Sequence, residues 1–229
     1  MRTWVTLAVT TLSAACSRPV DSTTQSRIAD TEQFTQQQLR TGDIILVPLN
    51  CYVCNAIEAE TGVTYSHSVI VAETSEDSRP TTVYEAWGSV KKTPLSEISA
   101  RKQKNQSLFV VRPRQFIRSG SPSAEELRKV FDDEYSGLPF DDEYLWTNTD
   151  EQGREKLYCS EFAFKFINRF LREQLTTAPM DFSRNFEFWI KYYAQFGMKP
   201  PSGEPGASPA TLFNSTLVKK IGELTTPAQ

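Results

Sequence analysis

The sequence predicts an α+β fold in which an antiparallel sheet packs against helices. Short β-branched runs crowd the first half, and helically spaced apolar residues dominate the second. The two clearest strands are joined by a loop too short for a parallel crossover, so they pair antiparallel. Asp43 to Val47, an apolar run after Gly42, is the first strand. Asn50 to Gly62 suits one or two helical turns, stopped by the glycine. His67 to Ala72 and Thr82 to Trp87 flank a polar loop and read as a hairpin. Ser107 to Arg112 is a further strand. In the second half, Ser123 and Glu126 form a capping box ahead of helically spaced Leu127, Val130 and Phe131, and Gly137 ends that helix. The clearest helix runs from Cys159 to Leu171, with Cys159, Phe162, Ala163, Phe166, Ile167, Phe170 and Leu171 on one stripe. Ser183 to Phe196 predicts an aromatic-rich helix that packs into the core, and Ser208-Pro209 opens a last helix after a Gly/Pro-rich loop.

The chain has 229 residues, including 14 Phe, 8 Tyr and 4 Trp, enough for one substantial core. Its net charge of -3 and the absence of a basic stripe argue against nucleic acid as a partner. Residues 1–15 read as an export signal: Arg2, a short apolar stretch from Trp4 to Leu12, then small residues before Cys16. The stretch is too short to span a bilayer. It resembles a bacterial lipoprotein signal, which implies lipidation at Cys16 and a membrane-anchored protein facing the periplasm. An ordinary cleavable signal, releasing a soluble periplasmic or secreted protein, is the alternative. Residues 16–38 are polar and Gln/Thr-rich and read as a tether, and residues 39–229 as the globular domain.

Three residues could carry chemistry. His67 is the single histidine. Glu85 stands in an otherwise apolar or aromatic strand, where a carboxylate is costly to bury without a partner. If the hairpin closes symmetrically near residue 76, the two lie directly opposite, with Cβ atoms about 5 Å apart. Cys159 begins a long helix, whose free N–H groups and dipole stabilise a thiolate. Helical spacing alone leaves Cys159 equally open to a packing role. Together the three form a possible set: Cys159 as nucleophile, His67 as general base and acid, Glu85 to orient the imidazole.

The stretches TGDIIL, YSHSVIV, VYEAW and LYCSEF, with GLPFDDEYLW before the last, resemble the YiiX/YebB-like branch of permuted NlpC-type, papain-like cysteine hydrolases. The likeness runs from about Leu39 to about Leu217. It implies a circularly permuted papain-like fold with the histidine-bearing sheet first and the cysteine helix last. Carried over by position, the catalytic residues fall on His67, Glu85 and Cys159. The implied activity is cleavage of an amide, with a peptide or peptidoglycan fragment as substrate and no cofactor. A lipid acyltransferase or thioesterase of related fold, and a non-catalytic binding module, are the alternatives.

Two motifs lie outside that resemblance. Cys51 and Cys54 form a CxxC compatible with a local disulfide or two buried thiols. A metal there would need further ligands, with only His67 and Cys159 in prospect, and no metal site is assigned. The word FDDEY occurs at Phe131 and again at Phe140, and such acidic runs read chiefly as solvated faces.

Overall fold

A computed structural model describes residues 34–75 and 79–225. The signal segment, Cys16 and the tether up to residue 33 lie outside the described residues. The strands are β1 (Phe34–Thr35), β2 (Ile44–Val47), β3 (His67–Glu73), β4 (Thr82–Trp87), β5 (Ser89–Pro94), β6 (Leu108–Pro113), β7 (Ala178–Pro179), β8 (Pro205–Gly206) and β9 (Val218–Thr225). The helices are α1 (Cys54–Thr61), α2 (Leu95–Arg101), α3 (Arg114–Ser119), α4 (Ala124–Glu134), α5 (Cys159–Asn168), α6 (Phe186–Ala194) and α7 (Pro209–Asn214). Seven strands form one sheet in the order β1-β9-β6-β2-β3-β4-β5, antiparallel except for the β1–β9 pair. The predicted α+β class therefore holds, as do the main strands and helices named from the sequence.

Alternation along the strands sorts the core onto two faces. Ile44, Leu46, Ile70 and Tyr84 point to one face and pack with Phe131 of α4 and with Phe162, Ala163 and Phe166 of α5. Ile45, Val47, Val69, Val71 and Val83 point to the other and pack with Leu95 and Ile98 of α2. Helix α6 contributes Trp189, Tyr192 and Tyr193 to a third cluster with Phe182 and Ala56. The aromatic run around α6 is thus mainly core, although Phe186 and Ile190 are exposed.

Capping follows the sequence closely. Ser123 Oγ accepts the Glu126 N–H at 3.2 Å while Glu126 accepts the Ser123 N–H at 2.7 Å. Ser208 caps α7, with Pro209 in its first turn. Seven elements were not foreseen: β1, β5, β7, β8, β9, α2 and α3. β5 carries exposed Lys91 and Lys92 and ends in proline, the composition of a protected edge strand. Helix α2 follows it without a loop. β9 carries Lys219, Lys220 and Glu223 around Gly222, yet it lies inside the sheet between β1 and β6.

The hairpin register differs from symmetric closure by two residues. Ile70 pairs with Tyr84 and Val71 with Val83, and a bulge at Ala72 then brings Glu73 opposite Thr82. Continued toward the far end, this register sets His67 opposite Trp87 and Glu85 opposite Val69, so the direct His67–Glu85 pairing is corrected to a diagonal one. The flanking strands pin it: β2 pairs His67 with Val47, and β5 closes tightly on β4 around Gly88, whose φ of 72° suits glycine. A shift of two preserves the face of every side chain, so His67 and Glu85 still point the same way.

A buried ion pair ties β2 to β6. Arg112 Nε and Nη2 donate to Asp43 Oδ1 and Oδ2 at 2.5 and 2.7 Å, and the Arg40 N–H donates to Oδ2 at 2.9 Å. Burial raises the Asp43 carboxyl above its usual pKa, and Arg112 opposes that shift. Removing the carboxylate takes from the buried Arg112 guanidinium its two shortest hydrogen bonds. Asp43→Ala should therefore cost about 3–5 kcal/mol in a urea unfolding titration. A loss below about 1 kcal/mol would mean the pair is no anchor.

Candidate active site

The site forms at the N-terminal end of β3, where the two faces of the sheet meet. His67 Nε2 lies 3.0 Å from Glu85 Oε2. The other carboxylate oxygen, Oε1, accepts from Thr93 Oγ1 at 2.7 Å and from Arg101 Nη2 at 2.7 Å. Glu85 is fully buried and His67 nearly so. The imidazole meets the Trp87 ring edge-on at 5.8 Å between centroids, and the Arg101 guanidinium lies over the same indole at 5.1 Å.

Cys159 arrives from the opposite face, on the first turn of α5. Its sulfur lies 3.9 Å from the Ser66 carbonyl oxygen and 3.9 Å from Ser160 Oγ. Its ionisation is coupled electrostatically to that of His67. Since Nε2 is turned to Glu85, Nδ1 is the ring nitrogen left to serve the thiol. The structure thus brings His67, Glu85 and Cys159 together. Thr93, Arg101 and Trp87 were missed as neighbours. Thr93 and Arg101 lie on β5 and α2, which were not assigned from the sequence. The Gly-Ser after Trp87 is the turn signal that could have exposed β5.

Burial is the largest influence on all three groups, and it opposes charge on each. For Cys159, the charge of His67 outweighs burial, helped by the Ser160 hydroxyl and the Ser68 N–H, so the thiol pKa falls below its ordinary value. For His67, the Cys159 thiolate and then Glu85 outweigh burial and raise the imidazole to about 9. For Glu85, His67, Arg101 and Thr93 outweigh burial and lower the carboxyl to about 2. The direction in each case favours a thiolate–imidazolium pair backed by a carboxylate.

Cys159 fronts a cavity of about 750 Å³. Met180, Phe182 and Trp189 contribute apolar lining, while Glu173, Thr177 and Asp181 are among its polar lining residues. Tyr158, next to the cysteine, accepts the Ala207 N–H on its hydroxyl oxygen at 2.9 Å, which fastens the Gly/Pro-rich loop to the start of α5. Glu161 accepts the Tyr158 N–H at 3.3 Å and a Lys165 hydrogen bond at 2.7 Å. Burial lifts its carboxyl to about 8 against those bonds.

The two FDDEY words have different environments. In the first, Asp132 and Asp133 are exposed on α4 and pair with Arg128 and Lys129 one turn earlier. In the second, Asp141 is fully buried and accepts the Glu143 and Leu145 N–H groups and Asn148 Nδ2. That carboxylate organises the loop leading to Cys159, so the solvated-face reading fails there. Cys51 and Cys54 are joined as a disulfide at the start of α1.

Fold and site define an α+β protein with a buried imidazole–carboxylate pair set beside a helix-start cysteine. No protein-family model and no curated protein matches the sequence. Among solved structures, the metalloprotein YiiX from Escherichia coli O157:H7 matches with a TM-score of 0.64 and 25% identity, over 81% of this chain and 98% of that one. The match supports a YiiX-like family for this chain.

The electrostatics predict an unusual pH dependence for alkylation. An ordinary thiol, with pKa about 8.5, loses its thiolate about tenfold per pH unit below that value. The lowered pKa of Cys159 moves this acid limb down, so its reaction with iodoacetamide should persist below pH 7. The check is mass spectrometry of the Cys159 peptide across pH. A limb centred near 8.5 would refute the assigned ion pair.

Proposed function

We propose that the chain is an exported cysteine hydrolase cleaving an amide bond, on a circularly permuted papain-like scaffold of the NlpC type. The observation that carries this reading is a chain of three residues from three elements: Cys159 at a helix start and lining the cavity, His67 electrostatically coupled to it, and Glu85 at 3.0 Å from Nε2. The order along the chain, histidine strand before cysteine helix, agrees with the permuted arrangement. Cys159 thiolate attacks the substrate carbonyl, with first-turn N–H groups of α5 positioned to stabilise the oxyanion. The carbon–nitrogen bond then breaks, His67 gives its proton to the leaving amine, and a thioester remains on Cys159. His67 next takes a proton from water, whose oxygen attacks the thioester and frees the acid and the thiol. Glu85 holds the imidazole in register throughout.

The substrate we propose is a peptide of the cell-wall type, which suits the polar part of the cavity. The apolar lining of Met180, Phe182 and Trp189 favours a second reading, transfer or hydrolysis of a lipid acyl group. Lipidation at Cys16 and a periplasm-facing membrane location belong to the same proposal. A metal does not. YiiX is described as a metalloprotein, but among the described residues of this chain no group of three or more His, Cys, Asp or Glu side chains is gathered for an ion. The oxygens of Glu85 are already engaged by His67, Thr93 and Arg101.

Cys159→Ala and His67→Ala should each lower turnover of a defined peptidoglycan fragment by at least about a thousandfold, with the fold intact by circular dichroism. Full activity in either folded variant would refute the assignment. Turnover of an acyl thioester or phospholipid, with none of the peptide, would favour the second reading.

A further inference from the structure

Glu85 is held by more than the histidine it faces, and the geometry points to Arg101 as a fourth, positioning member of the site. This inference rests on the hydrolase reading. Arg101 ends α2 and donates from Nη2 to Glu85 Oε1 at 2.7 Å, the oxygen that also receives Thr93 Oγ1. The two donors fix one side of the carboxylate and leave Oε2 aimed at His67 Nε2. The guanidinium is itself constrained. Nε donates to the Glu97 carbonyl at 3.3 Å, and the planar group lies over Trp87, which also meets the His67 ring edge-on. Nη1 is buried with no hydrogen-bond partner among the described residues, so Glu85 is the one carboxylate paired with this guanidinium there.

The chemical need is plain. A carboxylate with a single imidazole partner could rotate, or take up a proton in so dry a place. Arg101 removes both options by supplying a permanent charge and a directed donor. The charged and polar groups around Glu85 are His67 on β3, Thr93 on β5 and Arg101 on α2; Lys91, opposite it on β5, is exposed. Arg101 acts on the sulfur only through this relay: guanidinium to carboxylate, carboxylate to imidazole, imidazole to thiolate.

Iodoacetamide alkylation of Cys159 across pH tests the idea without knowledge of the substrate. Arg101→Ala should move the acid limb up by about one pH unit, so that its rate at pH 6 falls about tenfold while rates at high pH converge with those of the parent. Arg101→Lys keeps the charge but loses the planar group over Trp87 and the Nε bond to the Glu97 carbonyl, and its limb should lie between the two. Thr93→Val removes the other donor to the same oxygen and should shift the limb the same way, which serves if Arg101→Ala does not fold. Parental profiles in the folded variants would overturn the proposal, and a parental profile in Arg101→Lys would overturn the need for a guanidinium held over Trp87. Failure of the hydrolase reading looks different: Cys159→Ala retains turnover, or the parent itself lacks reactivity below pH 7.

Discussion

A carboxylate removed from water must find its stabilisation in neighbouring donors, and Glu85 is such a carboxylate. It lies inside the sheet's second face with no solvent exposure. Three donors from three elements meet it: His67 from β3, Thr93 from β5 and Arg101 from α2. Each is fixed by that requirement as much as it fixes the carboxylate. The strand order β3-β4-β5, the tight turn at Gly88 and the immediate start of α2 after β5 are the means by which the chain assembles them. The imidazole orientation follows from this, and the state of the thiol follows from the imidazole.

Cys159 comes from the other side of the sheet. Phe162, Ala163 and Phe166 anchor α5 against the face opposite Glu85, so only the first turn of the helix reaches the end of β3. A second set of buried carboxylates supports this turn. Asp141 shapes the loop before it, and Glu161 ties the Tyr158 backbone to Lys165. The site is therefore a junction between two separately stabilised halves rather than a cluster on one element. Such a junction tolerates little play, because a displacement of about 1 Å between reacting groups is enough to cost catalysis heavily.

Much of this was legible in the residues. A carboxylate in TVYEAW and the single histidine upstream were conspicuous because their neighbours are apolar. Cys159 stood out because the stripe that follows it is long and regular. The register was not legible. Nothing in the loop between Glu73 and Thr82 announces the bulge at Ala72, and strand neighbours far apart in sequence decided the pairing. The inference survived because an error of two residues leaves every side chain on its face. β5, α2 and β9 were hidden for another reason. Their polar and charged residues are typical of surfaces, and it is long-range pairing, not local pattern, that makes them regular structure. Arg101 and Thr93 were invisible in consequence.

The bulge at Ala72 separates the hairpin loop from the His67 end of β3. On the far side of it, His67 is gripped by β2, and Glu85 by β5. The loop can therefore drift in length and composition over evolution while the strands beyond it remain frozen. Divergence among relatives should gather between Thr74 and Pro80, and a short peptide tag for immobilisation could be grafted there without reaching the chemistry.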